Sequence, residues 1–188
     1  MEEKVKRTRN KSDLIKVVLY GPESTGKTTL SKQLATHYNT LWVPEFMREY
    51  LQMKWDYKKE LVVKDDLIPI AEGQLKLEKK ASQKVEKLLI CDTNLLELKV
   101  YSEYYYDGFC PSEIKNEATK DNYSIYLLTY VDTTWQADDL RDRPNNREEM
   151  FRIFEAELKK QNFPYQILKG NQKKRFNKAV AIIDQLLQ

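Results

Sequence analysis

Residues 14–38 read LIKVVLYGPESTGKTTLSKQLATHY. Within them, Gly21-Pro22-Glu23-Ser24-Thr25-Gly26-Lys27-Thr28 satisfies G-x-x-x-x-G-K-[ST], directly after an apolar, β-branched run and directly before a helical stretch. That context is what the pattern needs. A strand delivers the chain into the turn, the backbone N–H groups of the loop point inward around phosphate oxygens, and the next helix adds the positive end of its dipole. Lys27 is placed to reach the β- and γ-phosphates, and the Thr28 hydroxyl to ligate Mg²⁺. Two of the chain's five glycines fall in these eight residues. The stretch predicts a Mg²⁺-dependent nucleoside triphosphate site formed by Gly21, Glu23, Ser24, Thr25, Gly26, Lys27, Thr28 and Thr29, with ATP and GTP both open at this point.

Working outward, short apolar runs recur at 14–20, 41–43, 88–91, 125–131 and 165–168, each of strand length. Helical stretches lie between them at 28–38, 45–53, 68–87, 95–106, 147–161 and 176–187. Strands alternating with helices predict an α/β fold: a central parallel five-stranded sheet with helices on both faces, a three-layer sandwich. The polar segment 107–122, with Gly108 and Pro111, reads as a surface excursion with at most one short helix. No repeat or Pro/Gly/Ser linker marks a second domain, so residues 15–188 are expected to form one domain behind a basic tail of 1–14.

The 188 residues carry 32 Lys and Arg against 29 Asp and Glu, and residues 1–16 alone account for the net charge of +3. A body balanced in charge argues against nucleic acid as a partner. No run reaches the roughly 18 apolar residues of a membrane span, and the N-terminus has no apolar signal region. Cys91 and Cys110 are too few for a disulfide framework or a metal cluster and read as reduced thiols in a cytoplasmic protein. The single histidine, His37, lies late in a helix without a nucleophile motif beside it, and reads as a packing or surface residue.

In an open parallel sheet the ligand sits beyond the carboxyl ends of the strands. After the second strand comes Pro44-Glu45-Phe46-Met47-Arg48; Glu45 and Arg48 share a face at a helix start, where a carboxylate can take an acceptor hydroxyl's proton and a guanidinium can anchor the acceptor. Alternatively, Glu45 complements the helix dipole and Arg48 pairs at the surface. Asp92 follows the third strand, the usual place for a partner of Mg²⁺, so Thr28 and Asp92 form the candidate metal pair. Whether Glu45 or Asp92 is the base stays open. After the fourth strand, Arg141, Arg143 and Arg147 fall within seven residues, which reads as an arginine-bearing lid or as a solvated loop. Gly170-Asn171-Gln172 enters the last helix either as a loop beside the nucleotide base or as a simple turn.

Together GPESTGKTTL, VPEFMREYL, LLICDTN, VDTTWQADDLRDRP and KGNQKKRFNKAV resemble the nicotinamide riboside kinase domain of NadR-type proteins, across residues 15–187. The resemblance implies a P-loop nucleoside-kinase-like fold that moves the ATP γ-phosphate onto the 5′-hydroxyl of nicotinamide riboside, giving nicotinamide mononucleotide. It also implies that residues 21–28 bind ATP, that Glu45, Phe46 and Arg48 face the nucleoside, that Asp92 sits beside Mg²⁺ or the acceptor, and that Trp135 and Arg141 belong to the lid. The expected catalytic set is Lys27, Glu45, Asp92, Arg141 and Arg143. Trp135, Gly170 and Asn171 join the ATP site.

Two departures stand out. NadR-type proteins often carry an adenylyltransferase domain before the kinase, whereas only about fourteen residues precede the first strand here, which reads as a stand-alone kinase. An aromatic residue that can precede the motif glutamate is replaced by Pro44; Trp55, Tyr57 or the run Tyr104-Tyr105-Tyr106 are the alternative platforms, or core. A kinase for another nucleoside or nucleotide is the nearest competing reading. An NTP-dependent switch is the competing class, and it has no need of Glu45 with an arginine-bearing lid.

Overall fold

The computed structural model describes residues 14–120, 122–136 and 145–188. In chain order it comprises β1 (Ile15–Tyr20), α1 (Lys27–His37), β2 (Trp42–Val43), α2 (Phe46–Lys58), a 3-10 turn (Lys64–Asp66), α3 (Leu67–Ser82), β3 (Leu88–Asp92), α4 (Leu95–Tyr105), α5 (Ser112–Ala118), β4 (Ile125–Thr129), α6 (Arg147–Gln161), β5 (Tyr165–Leu168) and α7 (Gln172–Leu187). The strands form one sheet in the order β2-β3-β1-β4-β5. Every pairing is parallel. This is the expected α/β sandwich around a parallel five-stranded sheet.

The sequence of β1 explains its central place. Residues Val17 to Tyr20 are all fully buried, and successive side chains point to opposite faces of the sheet. Val17 and Leu19 pack against Leu30 and Leu34 of α1 and Ala179 and Ile183 of α7. Val18 and Tyr20 pack on the other side with Ile70 of α3, Leu96 of α4 and Phe154 of α6. The Tyr20 ring meets Tyr126 and Phe154 edge-on at 5.5 and 4.8 Å. Removing a buried ring such as Phe154 costs about 3–5 kcal/mol, because the sandwich closes only partly over the hole.

The neighbours of β1, β3 and β4, lie on opposite sides of it, so the crossovers diverge at its carboxyl end. A crevice opens where strand order reverses. The register Leu19↔Asp92 brings the end of β3 level with the entrance of the loop after β1.

Three helix boundaries differ from the sequence reading by four residues or more. α2 runs on to Lys58, α3 stops at Ser82 rather than 87, and α7 starts at Gln172 rather than 176. The Asn171 side chain accepts the Lys174 N–H at 3.0 Å, and this cap starts α7 four residues before its apolar periodicity begins. Among its described residues the segment 107–122 holds one short helix, α5, within the expected limit of at most one.

Candidate active site

The loop between β1 and α1 is shaped by two glycines. Gly21 has φ +134, and a Cβ there would lie 2.9 Å from both the carbonyl oxygen and the Oγ1 of Thr129, so a side chain is excluded twice over. Gly26, at φ +83, turns the chain into the first residue of α1. The Thr25 hydroxyl donates to the Pro22 carbonyl at 2.7 Å and lies 2.7 Å from the Thr129 hydroxyl. The Arg175 guanidinium of α7 donates to the Thr25 carbonyl at 2.6 Å and to the Gly170 and Tyr130 carbonyls at 2.8 Å, and it pairs with Asp132. The cradle is thus stapled to β4 and to α7.

Lys27 Nζ donates to the Gly21 carbonyl at 2.7 Å and the Pro22 carbonyl at 3.0 Å, and stands 3.2 Å from Glu97 Oε1. Burial alone would lower its pKa, but Glu97, Glu45 and Asp92 outweigh burial and raise it, so the ammonium stays charged. Glu97 is 2% exposed. Burial, with Glu45 and Asp92 repelling it, pushes its pKa from the ordinary 4.5 up to about 8 against the pull of Lys27. Burial also raises Asp92, opposed by the Thr28 hydroxyl, Lys27, Lys32 and Arg48.

Asp92 is 1% exposed, and neither carboxylate oxygen completes a well-formed hydrogen bond among the described residues, although the Thr28 hydroxyl beside it favours the anion. A buried carboxylate next to the Thr28 hydroxyl at the foot of a phosphate cradle suits Mg²⁺. That ion takes one or two protein oxygens and completes its octahedron with water and phosphate. No group of three His, Cys, Asp or Glu side chains placed to hold a metal occurs among the described residues. Mg²⁺ in a phosphate site does not require one.

From the cradle a cavity of about 660 Å³ runs toward α2 and α4. Glu45 and Arg48 stand on its wall, and its far end is lined by Met47, Leu51, Leu61, Leu67, Tyr105 and Tyr106. The Tyr101 hydroxyl accepts the Glu23 N–H at 3.0 Å, and its ring stacks with Tyr105 at 6.1 Å, joining the two ends.

A family model described as an AAA domain matches residues 16–175. The chain belongs to that AAA domain family. Among solved structures it is similar to a NadR protein in complex with NR, at 20% identity and a TM-score of 0.79, with 94% of this chain and 52% of that one covered. It is similar as well to a deoxyadenosine kinase from M.mycoides with products dcmp and a flexible dcdp bound, at 18% identity and a TM-score of 0.68, covering 91% and 100%. A thymidylate kinase from Ehrlichia chaffeensis follows at 17% identity and a TM-score of 0.66, covering 90% and 98%. These likenesses concern the fold. The present chain spans about half the length of the NadR chains it matches, 52% and 50%.

In this AAA domain, Glu23 through Thr29 line the nucleotide end of the cavity, while Gly21 lies under it. Glu45 holds the N-cap position of α2 without a side-chain capping bond, and Arg48 sits in its first turn. Phe46 is turned away: its ring packs on Gly73 of α3, where a Cβ would come within 2.1 Å of it, and its N–H donates to Gln74 Oε1 at 2.8 Å. Trp135 lies under the Arg147 guanidinium, 5.7 Å away, rather than on the cavity wall. Gly170 and Asn171 serve the turn and cap before α7; Gln172 and Arg175 line the cavity in their place. Of the alternative aromatic platforms, Tyr105 and Tyr106 reach the cavity, whereas Trp55 and Tyr57 do not. Arg141 and Arg143 lie outside the described residues, as do residues 1–13 of the basic tail. His37 packs edge-on to Tyr38 and Phe176, and Cys91 and Cys110 are buried free thiols. No helix among the described residues is long and apolar enough to cross a membrane.

The sequence reading missed Glu97, Arg175 and the arrangement around Arg147. A single acid inside the apolar run Leu95-Leu96-Glu97-Leu98 is the one signal that pointed to the first. Arg147 donates to the Thr133 carbonyl at 2.6 Å and to the Ser24 carbonyl at 3.1 Å. The Thr133 hydroxyl donates to the same Ser24 carbonyl at 2.8 Å, and the Gln136 N–H to the Ser24 hydroxyl at 2.8 Å. The segment after β4 is therefore laced onto the phosphate loop.

Proposed function

We propose that this AAA domain is an ATP-dependent small-molecule kinase, and that its acceptor is the 5′-hydroxyl of nicotinamide riboside, which becomes nicotinamide mononucleotide. The observation that carries the reading is one cavity lined both by the phosphate cradle and by an apolar and aromatic wall, with Glu45 and Arg48 also on it. A nucleotide switch has no use for a second compartment beside its phosphates. The order of the sequence motifs and the fold likeness to a NadR protein in complex with NR support the choice of acceptor.

In this reading Arg48 orients the acceptor and Glu45 takes the proton of its hydroxyl as that oxygen bonds to the γ-phosphorus and the bond to the leaving ADP oxygen breaks. Lys27 leaves its loop carbonyls to neutralise charge on the β- and γ-phosphate oxygens. Thr28 and Asp92 would hold Mg²⁺, which supplies further neutralisation of the same oxygens. The loop backbone N–H groups fix the phosphates in line.

Incubating the chain with Mg·ATP and a panel of nucleosides and nucleotides, with mass spectrometry of the products, tests the proposal. Phosphorylated nicotinamide riboside is the expected product. Consumption of a different acceptor would replace the substrate and keep the kinase; Pro44, in the place of a stacking aromatic, is the feature that favours this second outcome. Consumption of none would remove the kinase reading.

A further inference from the structure

The link between α2 and the 3-10 turn, residues 59–63, is short and exposed, yet it forms part of the cavity. Glu60, Leu61 and Val62 all line it. Leu61 is 68% exposed while lining the cavity, so its side chain is open to contact by whatever occupies that end. The link is nonetheless not loose. Lys59 turns the end of α2 at φ +56, and its N–H closes the helix on the Trp55 carbonyl at 2.9 Å. The Tyr106 hydroxyl donates to the Val62 carbonyl at 3.1 Å, and the Val63 N–H donates to Asp66 Oδ2 at 2.8 Å.

Asp66 is the knot. It is 6% exposed and accepts from Lys54 Nζ at 2.6 Å and from the Tyr50 hydroxyl at 3.0 Å, both on α2. Lys54 also stands 3.9 Å from Glu60. Burial alone would raise the Asp66 pKa, but Lys54, the Val63 N–H and the Tyr50 hydroxyl outweigh it and keep the carboxylate ionised. One anion thus holds a helix that has no fully buried residue of its own and the link that follows it. So many bonds on a short surface connection are out of proportion to a mere linker.

We propose that residues 60–62 are a strap that covers the acceptor, with Leu61 as its contact, and that Asp66 and Tyr106 are the positioning residues that set its place. The strap is the specificity-determining wall of the acceptor end and has no part in holding ATP. The inference rests on the kinase reading above. It requires that loosening the strap change the affinity for the acceptor and leave the nucleotide and the chemical step alone.

The test uses the whole chain, nicotinamide riboside as acceptor and Mg·AMP-PNP as nucleotide probe; if the wild type consumes another nucleoside in the panel, that nucleoside takes its place. Leu61→Ser, at an exposed position, leaves folding untouched, and Tyr106→Phe removes one hydroxyl. Asp66→Asn keeps one acceptor oxygen for Val63 or Tyr50, whereas Asp66→Ala keeps none. Each is expected to raise the acceptor KM, by ~10-fold for Asp66→Ala and less for Asp66→Asn. The kcat and the AMP-PNP Kd are expected to stay within about twofold of wild type. Amide exchange at residues 60–63 is expected to speed up in the Asp66 and Tyr106 variants. An unchanged acceptor KM in both Leu61→Ser and Tyr106→Phe overturns the proposal, as does an equal loss in AMP-PNP affinity. A wild-type chain that phosphorylates no nucleoside removes the kinase reading and the strap with it, whereas a failed strap leaves wild-type phosphorylation intact.

Discussion

Lys27 concentrates the charge of the site: the acidic side chains of Glu97, Glu45 and Asp92 raise its pKa, and its hydrogen bonds go to carbonyls of its own loop. Lys27→Ala is expected to lower turnover at least ~10²-fold, because it removes charge stabilisation without deforming a cradle built from backbone. Near-normal kcat in a folded variant, measured by coupled ADP release, would contradict the assignment. The two outer carboxylates separate by metal dependence. Glu45→Gln is expected to keep Mg·AMP-PNP binding and lose ~10² to 10⁴-fold in kcat, the usual worth of a general base. Asp92→Asn is expected to raise the Mg²⁺ concentration needed for half-maximal rate. The reverse pattern in a metal titration would make Asp92 the base. At this scale the sequence was legible in placement: residues 21–28 span the turn from β1 into α1, and Asp92 ends β3 level with it. Glu97 escaped because its meaning depends on α4 facing the phosphate loop, and an acid in a first helical turn ordinarily reads as a complement to the dipole. The resemblance implied that Phe46 faces the acceptor; α3 offers it the bare backbone of Gly73 instead.

Among the elements, the strands were readable because burial of the sheet leaves short, mostly apolar runs, whereas their order, β2-β3-β1-β4-β5, comes from the structure. Helix ends were less readable. The first turn of α7 is Gln172-Lys173-Lys174-Arg175, without an apolar period, and a buried Val85 beyond the end of α3 extends its apparent pattern. The link between β4 and α6 is the element whose attachment most concerns nucleotide binding. Arg147 is the first residue of α6, and its guanidinium bridges Thr133 to the Ser24 carbonyl, where Ser24 itself holds a left-handed φ of 57. Arg147→Ala is expected to weaken AMP-PNP binding by ~10-fold, the worth of one or two hydrogen bonds from a charged donor. Arg147→Lys is expected to rescue little, since an ammonium lacks the fork that reaches both carbonyls. An unchanged Kd in calorimetry would show that the lacing does not shape the nucleotide site.

Over the whole molecule, the buried acid leaves a signature in pH. The folded-state pKa of Glu97, about 8, lies above the ordinary 4.5, so between those values the folded chain keeps a proton that the unfolded chain has released. Stability from this group is therefore present at low pH and is lost as pH rises through about 8. In EDTA and without nucleotide, Glu97→Gln is expected to gain on wild type as pH rises, by about 1 kcal/mol per pH unit inside that window, read from Tm or urea midpoints. A difference between the two proteins that does not change with pH would contradict the assignment. The staple between Arg175 and Thr25 has another bearing, on synthesis. Its two ends lie 150 residues apart, and a chain made from its N-terminus exposes the phosphate loop long before α7 emerges from the ribosome. Until then Thr25 lacks its clamp and β1 lacks one of its covering helices. The clamp on the phosphate loop is therefore among the last contacts of this domain to form during synthesis.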